Sequence, residues 1–372
     1  MRAAVICEFN PFHHGHQYLL EQIKMEYAEE IVCIMSGSFV QRGDIAVTDK
    51  YARTKAALEG GADMVVELPT VYAVSGAPIF ARSGVQIAAE LNCHVLCFGA
   101  DHSITELYET LSVLDSPTTQ EKIAALMKNG EYYPRAVSKA VGEPYAQIIE
   151  KPNNILALEY IRACREYGLE PIAIPRIGVE HDSEETAGHF ASASKIRAMI
   201  QYGEDAAPYT PMRIEKPCFL SGIDQILRYL LISQKPETTE AIAGIGEGLN
   251  HRLYRCALEN PTMETILNAA KTKRYTMARL RRAALSVCLN ITDEMQQRPV
   301  PYIRVLGYRR EKPHLPQAKS LPLIIDVKRG YEMLCPTEKE IFDIDLEAAK
   351  LMTLCNSLSL SLNEFNHGII KV

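Results

Sequence analysis

The chain has 372 residues, 47% of them hydrophobic, with a formal net charge of −6, enough length for two domains and a well-buried core. No apolar run approaches the roughly 20 residues that span a bilayer. The first residues are strand-like rather than a secretion signal, so a cytoplasmic protein is expected, and the net charge taken alone speaks against nucleic acid.

In chain order, Ala3-Ala4-Val5-Ile6 reads as a first buried strand, and residues 17–23 have helical spacing. Residues 31–35 read as a second strand. A helix over 49–59 stops at Gly60-Gly61, and a third strand over 63–68 stops at Pro69. A helix over 78–91 leads to a fourth strand over 93–98, closed by Gly99. Such alternation indicates βαβ crossovers and a parallel sheet. Residues 103–141 read as a helical insertion with a break at Ser116-Pro117. Asn153-Asn154 precede a helix over 155–167, Asn being a good N-cap, and 170–174 form another strand reaching Pro175-Arg176. Small hydroxyl residues open a further helix at Ser192. Turn residues from Gly203 to Pro217 place a domain boundary at 205–216. Beyond it, 218–296 read as mostly helical, 301–307 and 321–325 as strands of a small α/β piece, and 341–362 as helix. The expected fold class is therefore α/β: a Rossmann-like parallel-sheet domain followed by a mainly helical C-terminal domain with a small α/β element.

The ten cysteines are scattered. Cys93 and Cys97 flank His94, but no second ligand pair at finger spacing follows, so the segment reads as a buried strand with reduced thiols and no metal site is expected.

The most informative stretch is Cys7-Glu8-Phe9-Asn10-Pro11-Phe12-His13-His14-Gly15-His16, where the first strand turns into the first helix. In an open α/β sheet, nucleotides bind at that crevice. The helix start offers unpaired N–H groups and a positive dipole end, and imidazoles add donors for phosphate oxygens. Gly15 lets the backbone come close. A lone His-x-Gly-His is a weak signal, compatible with surface histidines at a helix start; the strand–turn–helix context strengthens it. A second cluster, Phe190-Ala191-Ser192-Ala193-Ser194-Lys195-Ile196-Arg197, offers hydroxyls that can cap a helix or hold phosphate, and cations that can neutralise a triphosphate.

These motifs resemble the nucleotidyltransferase superfamily, with His13 and His16 as the signature histidines, His14 at its variable position, and residues 192–197 as its second motif. The likeness is closer to the tRNA(Met) cytidine acetate ligases. It runs in order through residues 8–16, Met35-Ser36-Gly37-Ser38-Phe39-Val40-Gln41-Arg42-Gly43-Asp44, 62–69, 151–156 and Lys273-Arg274-Tyr275-Thr276. The resemblance implies a Rossmann-like nucleotidyltransferase domain for ATP and acetate over 1–210 and a mostly helical tRNA-binding domain over 217–372. It implies acetate attacking the α-phosphate of ATP, then transfer of the acetyl group to N4 of the wobble cytidine of elongator tRNA(Met). His13, His16 and Lys195 would be catalytic. Cys7, Glu8, Phe9, Asn10, Pro11, Phe12, His13, His14, Gly15, His16, Gly99, Asn153 and Arg176 would bind ATP, the loop amides cradling phosphate and Mg²⁺ riding on the triphosphate. Asn154 is read as a helix cap only. Arg176 is open between phosphate, adenine and a surface salt bridge. The 41–44 loop is open between the tRNA end of the site, acetate and solvent.

From Lys271 to Arg282 six cations, Lys271, Lys273, Arg274, Arg279, Arg281 and Arg282, run without an acid. A local patch outweighs a global sum, so tRNA phosphate contact is expected here, against the alternative of a solvated cationic face. At helical spacing Arg274, Arg281 and Lys271 share a face. Tyr275 either stacks on a base or packs. Two rival functions are a small-molecule adenylyltransferase of cofactor synthesis, which has no use for a basic helical domain, and a non-catalytic RNA-binding module, which has no use for His13, His16 and Lys195.

Overall fold

The computed structural model describes residues 1–176, 186–311, 317–355 and 364–372. Its centre is a sheet of β1 (Arg2–Cys7), β2 (Glu30–Ser36), β3 (Met64–Leu68), β4 (Val95–Ala100), β5 (Glu170–Pro175), β6 (Ile303–Tyr308), β7 (Leu323–Ile324) and β8 (Ile370–Lys371). The spatial order is β7-β6-β3-β2-β1-β4-β5, with β8 also pairing with β6. The pairs from β3 through β5 are all parallel. These strands are apolar on both faces because helices cover both, so they read as unbroken apolar runs. Between β2 and β4 the winding reverses at β1, and the carboxyl ends of β1 and β4 open a crevice there.

Each expected crossover helix is present: α1 (His14–Glu26), α2 (Lys50–Glu59), α3 (Ala77–Glu90) and α4 (Pro152–Tyr167), followed by α5 (Ala193–Tyr202). Asp49 caps α2 by accepting the Tyr51 and Ala52 amides, both at 2.9 Å, a bond type worth about 1 kcal/mol. The insertion holds helices Ile104–Leu114, Pro117–Lys128, Tyr133–Val141 and Tyr145–Glu150. In the second part of the chain, α6 (Met277–Leu289) and α7 (Pro336–Cys355) are the longest helices.

Four expectations need correction. Gly99 does not close the fourth strand, which continues to Ala100. Asn154 is not a helix cap: Pro152 starts α4 one turn early, as proline does at a first helical position, so both asparagines lie inside the helix. Asn154 is instead fully buried, donating to the Ile148 carbonyl at 2.9 Å. The strands near 301–307 and 321–325 form but are not a separate piece. β6 runs antiparallel to β3 and extends the main sheet, with a register shift between Val305 and Gly307. A side chain at Gly307 would lie 2.7 Å from Thr54 and 2.8 Å from the Ile370 carbonyl, so only glycine fits that shift. The last helix begins earlier than expected, at Pro336, and residues 356–362 of that expectation lie outside the described residues.

The β3–β6 seam carries a buried charge cluster. Glu67 and Arg304 are register partners. Lys50 Nζ lies 2.7 Å from Glu67 and 2.9 Å from Glu364, and Arg304 contacts both carboxylates, with all four side chains no more than 5% exposed. The Tyr51 hydroxyl donates to Glu364 at 3.1 Å. Two cations thus offset two carboxylates in the dry interior, the condition under which buried ions are tolerated.

Candidate active site

The helix start at the crevice is built by its own histidines. His13 is the N-cap of α1, and its Nδ1 accepts the Gly15 amide at 3.1 Å. His16 Nδ1 accepts the His13 amide at 3.3 Å, and the two rings stack with centroids 3.7 Å apart. An Nδ1 that accepts carries no proton, so a neutral ring holds its proton on Nε2. Both imidazoles are therefore oriented as Nε2–H donors. A side chain at Gly15 would also meet the His13 ring at 2.9 Å. Four of the loop amides are already engaged within the protein. Those of His13 and Gly15 bond to imidazoles, that of His14 to the Tyr209 carbonyl and that of His16 to the His13 carbonyl.

Phe9 holds a φ of +46°, sparsely populated for an aromatic residue, which turns its buried ring edge-on to His16 at 4.9 Å. Asn10 is buried; its side chain accepts the Val47 amide at 2.7 Å and its carbonyl accepts Arg197 at 2.7 Å. Arg53, 0% exposed, sits beneath the loop and donates to four carbonyls, of Thr48, Glu8, Ser36 and Gly37. Burial lowers its guanidinium to about 10.

A cavity of about 310 Å³ lies at this crevice. Cys7, Glu8, Phe9, Asn10, His13, Gly15 and His16 line it, as do Gly99, Asn153 and Arg176 from the neighbouring strand ends and α4. Ser192, Ser194 and Arg197 line it from the start of α5, where Ser192 accepts the Lys195 amide at 3.1 Å as the N-cap. Pro11, Phe12, His14 and Lys195 do not line it: Phe12 is fully buried under Gly60, and Lys195 lies in the first turn of α5. Arg176 lies 3.8 Å from Asp101 and beside Gly99, where any side chain would reach its Nε at 3.3 Å. Gln41 and Arg42 close another wall, and the Gln41 amide donates to Glu8 Oε1 at 2.7 Å. Burial pushes the Glu8 carboxyl up, against Gln41, Arg197, Arg42 and Arg53, which pull it down. Burial, together with Cys33, pushes the Cys7 thiol well up, so it is no nucleophile. Cys93 and Cys97 are buried thiols, pushed up to about 12 by burial.

The basic run is divided. The preceding helix ends at Ala270, and Thr276 caps α6 by accepting the Arg279 amide. Arg274 and Lys271 therefore lie in a loop and do not share a helix face with Arg281; the cap delays the helix past them. Lys271, Lys273 and Arg274 are exposed, and the last two line a recess of about 450 Å³ with Arg252. Arg279 sits over the Tyr275 ring and 4.0 Å from Glu247. Arg281 lies 3.9 Å from Asp44, and Arg282 donates to the Gln41 carbonyl at 3.2 Å. Burial lowers Arg282 to about 10. Gly43, at φ +73°, lets the 41–44 loop touch the α6 backbone, where a side chain would lie 2.6 Å from the Arg282 nitrogen. Tyr275 packs: it is buried and donates to the Glu247 carbonyl at 3.2 Å. Among the described residues no helix is long and apolar enough to cross a membrane.

Sequence reasoning overlooked Arg53 and the structural role of Asn10, and left Arg42 open within the 41–44 loop, which the structure brings to the cavity wall. Arg197 was legible as the second cation of its motif, two residues from Lys195.

A model of the HIGH nucleotidyl transferase family matches residues 1–367. A tRNA(Met) cytidine acetate ligase of Listeria monocytogenes is 34% identical, with 95% of each chain covered. Another, of Thermoanaerobacter sp., is 34% identical with 99% of each covered. The crystal structure of Thermotoga maritima TmcAL bound with alpha-thio ATP superposes with a TM-score of 0.89 at 27% identity, covering 100% of this chain and 99% of that one.

Proposed function

The chain belongs to the HIGH nucleotidyl transferase family and, within it, to the tRNA(Met) cytidine acetate ligases, and from this premise we propose an ATP-dependent ligase acting on acetate and elongator tRNA(Met). An acetate oxygen attacks the α-phosphorus of ATP, diphosphate leaves, and acetyl-adenylate results. The N4 amine of the wobble cytidine then takes the acetyl group, and AMP leaves. Free acetate is a poor acyl donor because its leaving group would be oxide; AMP is a stable one.

The observation that carries this reading is the stacked His13–His16 pair, fixed as Nε2–H donors at the sheet's reversal point. Displacement at phosphorus needs positioned charge stabilisation more than it needs a protein nucleophile. The two imidazoles donate to the oxygens of the reacting phosphate. Arg197 and Arg176 line the same cavity and neutralise phosphate charge, and Lys195, outside it, meets the outer phosphates. Gly99 and Asn153 receive the nucleoside side. Mg²⁺ travels on the phosphate oxygens; no group of three His, Cys, Asp or Glu side chains fit to hold a metal exists among the described residues.

We assign the adenylate chemistry to residues 1–210 and tRNA contact to 217–372, with Lys271, Lys273 and Arg274 on phosphates, and Arg279, Arg281 and Arg282 beside them shaping that surface. A cofactor adenylyltransferase would share the crevice but leave the exposed cations without a task. The test is mass spectrometry of tRNA(Met) after incubation with labelled acetate, ATP and enzyme. A single acetyl group on the wobble cytidine is expected; unlabelled tRNA alongside diphosphate release would overturn the acceptor assignment.

A further inference from the structure

Glu8 puts a carboxylate into a cavity meant for anions. It follows β1 directly and lines the crevice together with His13 and His16. Its position is fixed three ways: the Arg53 guanidinium holds its carbonyl at 2.7 Å, the Gln41 amide holds Oε1 at 2.7 Å, and the Gln41 side chain is tied to the Ser75 carbonyl at 3.2 Å. No hydrogen bond or ion pair reaches Oε2 from any described residue. Phosphate and acetate oxygens offer that oxygen no proton, and the nucleoside, whose hydroxyls and amine could, is placed toward Gly99 and Asn153 on the neighbouring strand end and α4. The amine of the second half-reaction offers one.

We infer that Glu8 is the general base of acetyl transfer, taking the proton that the attacking cytidine N4 must lose. The inference rests on the ligase reading above. N4 attacks the carbonyl carbon of acetyl-adenylate and a C–N bond forms. The N4 proton passes to Glu8 Oε2, the C–O bond to the phosphate breaks, and AMP leaves with the electron pair. Glu8 returns its proton to water before the next cycle. The histidines are poorly suited to this task, because each Nδ1 is already committed as an acceptor and each Nε2 is a donor. Burial, which raises the Glu8 carboxyl, brings its basicity nearer to neutrality, where general bases work best. The charged and titratable groups facing it are Cys7 on β1, Arg42 in the loop, Arg53 on α2, Tyr160 on α4 and Arg197 on α5. The three arginines keep the pocket cationic overall, so the carboxylate does not expel the anionic substrates.

The test separates the half-reactions in Glu8→Gln, whose amide oxygen can still accept the Gln41 amide. Acetate-dependent ATP–diphosphate exchange, with and without tRNA, reads adenylate formation. Single-turnover transfer from chemically prepared acetyl-adenylate to tRNA(Met) reads the second step across pH. Transfer should fall about a hundredfold or more beyond any change in exchange, and its rise with pH through the carboxyl's titration should vanish. Glu8→Asp, which keeps a displaced carboxylate, should recover part of the transfer and all of the pH dependence; it also serves should the Gln variant fail to fold. Equal losses in both steps, or a raised KM for ATP with transfer intact, would make Glu8 a nucleotide contact and overturn the inference. Failure of the wild-type enzyme to transfer from acetyl-adenylate would instead defeat the ligase reading itself.

Discussion

The His13–His16 turn and the Lys271–Arg282 run both gather polar side chains, but they hold them differently. In the turn, each imidazole is anchored by an amide no more than three residues away. In the run, Arg281 and Arg282 are anchored on Asp44 and Gln41, more than two hundred residues distant in the chain. A local motif carries its geometry with it, whereas a run of like charges is sorted by whatever the fold lays against it. Here the fold makes Arg281 and Arg282 a dock for the 41–44 loop, sets Arg279 against Glu247 and Tyr275, and leaves Lys271, Lys273 and Arg274 exposed. The same loop supplies the Gln41 amide that holds Glu8, so the two regions meet through it.

The largest effect that would sharpen this contrast is expected at His16. His16→Ala should cut acetate-dependent adenylate formation by roughly 10²–10³-fold while tRNA affinity stays nearly constant, as a gel-shift titration would show. Comparable losses of both would erase the distinction between the regions. Next comes the seam joining them. Glu67→Ala leaves Lys50 and Arg304 short of a counter-charge and should cost about 3–5 kcal/mol in chemical denaturation. The double reversal Lys273→Glu with Arg274→Glu should weaken tRNA binding by roughly tenfold and flatten its salt dependence by about two phosphate contacts, leaving exchange without tRNA in place. By contrast, Arg282→Ala should lower transfer as well, because it frees the Gln41 carbonyl; a binding-only defect would contradict the docking role.

The smallest expected effect is in pH. Burial would raise Glu364, but Lys50 and Arg304 overcome it and hold it at about 2, so its stabilisation is complete above the ordinary carboxylate range and is lost as pH falls toward 2. Asp345 acts in the opposite sense: burial and Glu67 push it up to about 6, so the native state favours its protonated form and stability declines as pH rises from about 4 to 6. Asp345→Asn should remove that decline from a Tm–pH profile while leaving the acid limb.

Much of the N-terminal architecture was legible because parallel strands buried on both faces write themselves as apolar runs, and because the signature histidines act within one turn. The rest depends on contacts that no short window contains. Arg53 sits in a helix as any surface cation would, and only the convergence of four carbonyls buries it. The facing of Arg197 rather than Lys195 into the cavity depends on the phase that the Ser192 cap gives α5. Arg274 left its expected helix face because Thr276 set the helix start two residues later. The antiparallel partnership of Glu67 with Arg304 leaves no periodic trace at all.

That partnership bears on how such a chain can be taken apart. Severed near residue 210, the first segment would lose the strand that seals β3, exposing a bare backbone border to any neighbouring molecule. Two fragments made separately would invite clumping and should regain solubility only when produced together, so the chain is a single cooperative body whose later part completes the sheet of its earlier part.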